Sequence, residues 1–581
     1  MQSSTAVRWA VLLAGVILAS LGVLFATSID QAEGEAQRTE PPPFLKSHAF
    51  TDLARKSLKG SSSEPPVRGG TLTTSWFTDP QTLNNITRYD SYANRVCRYF
   101  LFPPLLDIDG STLELRPELA ASFPELSGDH RTQTWTLKKG VCWHRGLADG
   151  TVVEVTTRDV QFCFDLIKNE KLAAPHLQSP LAKFKSLEVV DAYTFRIKLD
   201  EPYARAVYDF GWEFRLMPAH LVTAPPERFD EDPLSREPVG YGPFRVEKWD
   251  RGSHLTLVRN LSYPSPAHKP YYVERLRLLF VRDLDQTLPL FRRGEIDIAV
   301  MNDPTRYEVA RKEDDLRERA TFHEYYLPRW LYIGWNNDHW AFRDPRVRRA
   351  MTFFFPREMM ASRFYEGHAA VLSGPFAINA KGYNHAVKPL PFDPGAGEAL
   401  LREAGFADHD GDGWLDRDGK KLEFVVLEPI NNPAALESGF EMFQKELSKA
   451  GVAMTTEQMA FDVLLESRAK THQFAAISLG WSPDPVDDDL FVVFHSSMCE
   501  GGNNFVNYRN PECDALLERA RVEHDPQERI RISHRLHEII DADHPMTFLI
   551  NPESLVLVST RIRDVNITQL GSLMYDWWIP K

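Results

Sequence analysis

The sequence predicts a mixed α/β protein of several domains, preceded by an apolar N-terminal segment and a polar linker. Three observations carry this reading. The chain has 581 residues, too many for one ordinary core. Strand-like and helix-like hydrophobic patterns alternate from about residue 69 to the end. No fixed-length repeat recurs, which disfavours a solenoid or a propeller.

The N-terminal segment comes first. Trp9 to Ala26 is eighteen residues without a charge, preceded by Arg8. A signal-peptide core runs about 7–15 residues and a membrane span about 17–25, so the length leans toward an uncleaved anchor. The small residues at Ala26-Thr27-Ser28 leave cleavage open. No cysteine follows for lipid attachment, and Arg8 on the short side places the long part outside the cytoplasm. Residues 27–68, with Pro41-Pro42-Pro43, Ser61-Ser62-Ser63 and Pro65-Pro66, read as a disordered linker. Thr194 to Leu199 and Arg275 to Leu278 alternate with period two and predict half-buried strands. Leu436, Phe440, Phe443 and Leu447 share one helical face, with Asn432 as N-cap, Pro433 at the first position and Gly451 past the end. A second helix starts at Asp525-Pro526-Gln527-Glu528 and stops before Pro545.

Composition excludes some functions. With 67 basic and 81 acidic residues the net charge is −14, and no basic tract carries interleaved aromatics, so no nucleic-acid partner is expected. The basic stretch Arg343 to Arg349 reads as a solvated helix start. Cys97, Cys142, Cys163, Cys499 and Cys513 show no CxxC pair. One or two disulfides, with Cys499–Cys513 closest in sequence, stand beside buried free thiols as the two readings. Gly480-Trp481-Ser482-Pro483-Asp484 lacks the second glycine of a nucleophile elbow, and Pro483 obstructs the turn. No phosphate loop, HExxH or GxGxxG motif is present, so neither enzymatic activity nor a cofactor is expected. His495 near Asp487 to Asp489 reads as a surface histidine before a metal ligand. Asp408-His409-Asp410-Gly411-Asp412-Gly413 opens like a calcium loop, but Gly419 stands where the bidentate glutamate belongs, and a turn rich in Asp and Gly is the favoured reading.

An ordered series of motifs runs from Gly69 to Asn551. It comprises Gly69-Gly70-Thr71-Leu72 with Asp79-Pro80-Gln81-Thr82-Leu83; Arg116 to Phe123; Gly140-Val141-Cys142-Trp143-His144 with Asp149-Gly150 and Thr157 to Val160; Pro238 to Phe244; Gly294-Glu295-Ile296-Asp297; Phe342 to Arg348; Gly480-Trp481 through Ser496; and Asn503-Asn504 with Asn510 to Asp514. In this order they resemble the family of extracellular solute-binding proteins that includes oligopeptide-, dipeptide- and nickel-binding receptors. Two departures are the four residues between His144 and Asp149, and Tyr241 where the family has threonine.

The resemblance implies a two-lobed type II periplasmic binding protein fold with an extra domain. Lobe I would comprise 69–105, 240–325 and 553–581, the extra domain 106–239 and lobe II 326–552, with hinge crossings near 325 and 552. It further implies a non-enzymatic receptor that passes a peptide or similar small solute to the permease subunits of an ABC importer. Trp76, Tyr241 and Trp481 would line the cleft, with Tyr241 and Trp481 also readable as core aromatics. Asp484, three residues past Trp481, would pair with a peptide α-ammonium. Asp487, Asp488 or Asp489 takes that role if the loop is shifted, and all four are otherwise solvated acids. The alternative function is a membrane-anchored sensor or interaction protein built on the same fold. The ligand itself stays open, because fold does not fix it.

Overall fold

The computed structural model describes residues 63–581 apart from 88–89, 111, 267–268, 302, 431 and 483–488. Trp9–Ala26, most of the linker and Asp484 lie outside the described residues.

The molecule is mixed α/β and is organised by two main sheets. The strands that position the site are β1 (Thr71–Trp76), β2 (Ala320–Tyr326), β3 (Trp330–Trp335), β4 (Ala476–Trp481), β5 (Met546–Phe548) and β6 (Ile550–Ser559). An eight-stranded sheet runs in the order β2, β6, Ile298–Met301, β1, Arg275–Phe280, His254–Arg259, Phe244–Asp250, and the short strand Ala369–Val371 pairs with β6 off this path. A five-stranded sheet runs Ala453–Met459, Glu423–Pro429, β4, β3, β5. A four-stranded antiparallel sheet lies between residues 125 and 199. The expected strands are present as Thr194–Leu199 and Arg275–Phe280.

β3 shows how the second lobe is built. Its sequence WLYIGW is an unbroken apolar run because the strand is buried on both faces. Trp330 and Tyr332 enter one core, while Ile333 and Trp335 enter the other. The first lobe is different. One continuous core joins Leu72 and Leu276 to Trp135, Phe195 and Phe210, so the expected extra domain at 106–239 has no separate core. A buried charge cluster joins the same regions: Lys269 Nζ donates to Asp107 and, over 3.0 Å, to Glu118. Tyr263 Oη also donates to Glu118, at 2.5 Å.

Several local expectations need correction. The helix predicted to begin after Asn432 spans Ala434–Lys449 and has Pro433 at its cap. Asn432 instead donates to Glu428 over 2.7 Å, because the preceding strand end offers a carboxylate. Arg348, expected on a solvated helix start, is buried. Its guanidinium satisfies carbonyls of His544, Phe342 and Asp543 at 2.9, 2.7 and 2.6 Å, closing the end of the helix Pro526–Asp543. Burial pulls its pKa down to about 10. That last helix is capped as predicted, with Asp525 accepting from the Gln527 and Glu528 amides. All five cysteines are free thiols, so no disulfide joins Cys499 to Cys513.

Besides the excursion that carries Ala369–Val371 onto β6, the chain passes between the sheets twice. The first passage is Leu327-Pro328-Arg329, between β2 and β3, and the second is Leu549 alone, between β5 and β6. Asn551 ties them together. It is fully buried, its Nδ2 donates to Leu327 O at 3.3 Å, and its Oδ1 accepts from Ile378 N at 3.1 Å. The strand Ala369–Val371 then pairs with residues 550–552 of β6, so β6 carries partners from both sides.

A second tie is electrostatic. His368, just before that strand, faces Glu553 Oε2 at 2.9 Å and Glu308 Oε1 at 3.1 Å. Glu308 also holds Arg311, and the Tyr307 ring meets His368 edge-on at 5.6 Å. Burial alone lowers the His368 pKa, but the hydrogen bonds to the two carboxylates outweigh it and leave it raised. A raised histidine pKa means that the ion-pair stabilisation is complete below the ordinary histidine value of about 6.5 and is lost as pH rises through the folded value. His368→Gln is therefore expected to lower the Tm most near pH 5.5 and progressively less toward pH 8.5. A Tm difference independent of pH, read by differential scanning fluorimetry, contradicts this.

Candidate functional site

Sheet direction decides which residues can meet at the passages. β1 runs parallel to Ile298–Met301, and Met301 pairs with Leu555 near the start of β6. The C-terminal end of β1, carrying Trp76, therefore points toward the passages. β4 runs antiparallel to β3, with Trp481 opposite Trp330, so its C-terminal end points back toward them. Trp76 and Trp481 thus end two strands whose tips face each other across the junction. The Trp481 and Trp330 rings are 6.5 Å apart, and Trp76 leans on Tyr92 at 5.1 Å.

Trp481 lines a cavity of about 250 Å³. One wall comes from Ser179, Pro180, Lys183, Tyr203, Arg205 and Asp209, in the region after the four-stranded sheet begins. The other comes from Trp481, Ser482, Asp489, Leu490, Val492 and Arg521. Ala204 N donates to Arg521 O at 3.0 Å, and the rings of His130 and His524 meet at a tilt with centres 4.6 Å apart. Ser482 and Asp489 are the two ends of the loop containing Asp484, and both line the cavity.

The charges in this cavity are mutually satisfied. Arg205 pairs with Asp209 at 3.3 Å, and Tyr203 Oη donates to Asp209 over 2.7 Å. Arg521 pairs with Asp489 at 2.6 Å while its guanidinium lies 3.6 Å from the Phe491 ring centre. Burial, then the neighbouring Asp209 carboxylate, drives the Tyr203 hydroxyl far above its ordinary pKa, so it stays a donor. Behind them Arg529 is lowered to about 10 by burial and by the Arg205 charge. Such a lining, an indole face with fixed donors and acceptors, holds a polar ligand by hydrogen bonds and apolar contact. At about 250 Å³ it takes one or two amino-acid side chains and no large cofactor.

Tyr241 is not part of this lining. It is 2% exposed, its hydroxyl donates to Pro103 O, and Trp143 meets it edge-on at 5.0 Å. The reason lies in the flanking glycines. The Tyr241 and Gly242 amides both donate to Leu101 O, at 3.0 and 2.9 Å. A Cβ on Gly240 would sit 2.1 Å from that oxygen. The segment lies flat on another backbone and carries Tyr241 inward, which corrects its expected place on the cleft wall. Trp76 lies at the facing strand tip but does not line the cavity.

The two metal readings fare differently. Asp489 is committed to Arg521, and His495 stacks on Phe491 at 4.0 Å while its Nδ1 caps Ser497. The carboxylates of Asp408, Asp410 and Asp412 lie within 4.8 Å of one another. Asp408 accepts from the Gly411 and Gly413 amides, and Lys421 pairs with Asp412, so the loop closes as a turn with a side-chain cation on its rim.

Tyr203, Arg205, Asp209 and Arg521 were not singled out by sequence. The only local signal is the i, i+4 spacing of Arg205 and Asp209 in an aromatic-rich segment. Nothing in the sequence places it beside Arg521.

Comparison with known proteins follows the same geometry. Residues 114–503 match the family described as bacterial extracellular solute-binding proteins, family 5, middle. The oligopeptide-binding protein AppA of Bacillus subtilis is 26% identical over 546 residues, covering 93% of this chain and 96% of its own. The dipeptide-binding protein of Escherichia coli is 23% identical over 520 residues, covering 86% and 91%. The solved structure of Bacillus subtilis AppA in complex with a nonapeptide superposes with a TM-score of 0.76 at 25% identity, covering 89% of this chain and 100% of that one.

Proposed function

This chain belongs to the bacterial extracellular solute-binding proteins, family 5, and from that premise we propose that it captures peptides outside the cytoplasm and presents them to the permease of an ABC importer. The observation that carries the reading is the cavity at the tip of β4. It lies between two bodies of chain and is walled by the Trp481 indole and by Ser482 and Asp489, the two ends of the loop that carries Asp484. The likeness to a receptor solved with a nonapeptide supports peptides as the ligand class. Extended peptides suit such a site because backbone hydrogen bonds give affinity with tolerance of side chains.

Asp484 is the proposed partner of the ligand's α-ammonium. Its support is its place three residues after Trp481, in a loop whose two ends line the cavity. Pro483 and Pro485 flank it and limit the conformations that binding must order. An ammonium stripped of water needs an ionised partner, and removing one member of a buried pair costs about 3–5 kcal/mol. Isothermal titration with a pool of free tri- to pentapeptides is expected to show at least a hundredfold loss for Asp484→Asn, a smaller loss for Trp481→Ala, and none for Asp488→Asn. Unchanged affinity in Asp484→Asn removes the pairing.

A tether to the membrane is supported by the hydropathy of Trp9–Ala26 alone. Among the described residues no helix is long and apolar enough to cross a membrane. N-terminal sequencing of protein from its host is expected to find the segment retained in the membrane fraction. A soluble form beginning between residues 27 and 40 contradicts retention.

A further inference from the structure

The four-stranded sheet and the second lobe meet at a pair of histidines. His130 stands at the tip of the hairpin between the strands Glu125–Leu126 and Thr132–Thr136. His524 stands in the short connection between the helices Pro511–Val522 and Pro526–Asp543. Their ring centres lie 4.6 Å apart, with the planes inclined by 32°. Both rings are carried on tight supports. His130 has φ 55°, in the left-handed region that few side chains adopt, and its amide donates to Ser127 O at 2.9 Å. The Leu199 amide donates to Arg131 O at 2.8 Å and ties this tip to the chain leading into Tyr203, Ala204 and Arg205. On the other side Asp525 N donates to Glu523 Oε1 at 2.8 Å, and Asp525 caps the helix that follows. Three residues before His524 the same two bodies touch again, where Ala204 N donates to Arg521 O at 3.0 Å. The contact thus has two points: a backbone hydrogen bond, and a ring pair that can change charge.

The charged groups on the elements packed here are Asp129 and Arg131 on the hairpin, Lys198 and Glu201 on and after the strand paired with it, and Arg521, Glu523 and Asp525 around His524. Most are engaged elsewhere. Asp129 accepts from Ser127 Oγ at 2.6 Å and from the Arg131 amide at 3.2 Å. Lys198 pairs with Glu188 at 3.4 Å, Glu201 with Lys183, and Arg521 with Asp489. Two imidazole rings in contact are compatible while neutral and repel when both are protonated. Burial, then the neighbouring His130 charge, lowers the His524 pKa. The Val522 carbonyl and the Glu523 charge oppose this without restoring it.

We propose that His130 and His524 form an acid-released latch between the hairpin side of the molecule and the second lobe: neutral rings hold the contact, and protonated rings part it. The proposal goes beyond the peptide reading and holds for any ligand of the cavity, because Tyr203 and Arg205 line one wall of it and Arg521 the other. A histidine whose pKa is lowered in the contact binds fewer protons there than when the contact is open. The contact is therefore at full strength above the ordinary histidine value of about 6.5 and weakens as pH falls below it. One pH unit below that value, the loss reaches about tenfold for each histidine that must stay neutral.

Hydrogen exchange of the full chain at pH 7.5 and pH 5.5, corrected for intrinsic rates and read by mass spectrometry, tests the latch. The reporter is the segment 203–206, whose Ala204 amide is bonded across the contact. The reference is the strand Thr194–Leu199, whose ladder bonds stay within its own sheet. Wild type is expected to lose about three- to tenfold of its protection at the reporter at pH 5.5 and none at the reference. His524→Gln is expected to show no pH-dependent loss. The same is expected of His130→Asn, since asparagine tolerates the left-handed backbone. Constant protection in wild type, the wild-type loss in both variants, or an equal loss in the reference strand overturns the latch. Should one variant fail to fold, the other decides by the same readings. Titration with the pool of free tri- to pentapeptides separates the latch from the ligand reading. Wild type is expected to bind the pool about threefold more weakly at pH 5.5, and His524→Gln equally at both values. Equal binding by wild type overturns the effect on ligand retention. A pool that binds at neither pH counts against the peptide reading, and the exchange result still decides the latch.

Discussion

The structure depends on one constraint: two large sheets are joined by two short passages and by the strand Ala369–Val371, and a buried asparagine holds those passages to each other. Asn551 donates to Leu327 in the first passage and sits two residues after Leu549 in the second. Because both ends of its amide are used, the passages move as one unit. β6 extends the same logic, since its first residues pair with the strand Ala369–Val371 and the rest with β2 and Ile298–Met301. Each body keeps its own apolar core, and we propose that ligand closure is a rotation about this seam.

Charge is distributed along the seam according to role. On the outer face His368 sits between Glu308 and Glu553, a neutralised tie that fixes the seam. In the cavity Asp209 and Asp489 each have an arginine, and the Tyr203 hydroxyl donates to Asp209.

The scaffold was more legible in the sequence than the site, for a physical reason. The motifs that carried the family resemblance are mostly staples. Asp297 accepts from the Thr73 amide at 2.8 Å and from Arg561, Asp344 caps its helix through the Arg346 amide, and Asp514 holds Ser496. Such roles need a fixed residue at a fixed place, and so they leave a pattern. Tyr241 was misplaced because its motif serves backbone-on-backbone contact at Gly240 and Gly242, not a surface. Trp481, which ends a strand beside a proline- and aspartate-rich loop, does line a cavity. The pairing of Arg205 and Arg521 was not legible, because an arginine's partner is a fact of tertiary structure that no local spacing records.

Small-angle scattering of the full chain, with and without a saturating ligand recovered from the native protein, tests the hinged receptor most directly. Rotation about the Asn551 seam predicts a smaller radius of gyration in the bound form, with each body unchanged in shape. An identical radius of gyration at saturation would contradict it.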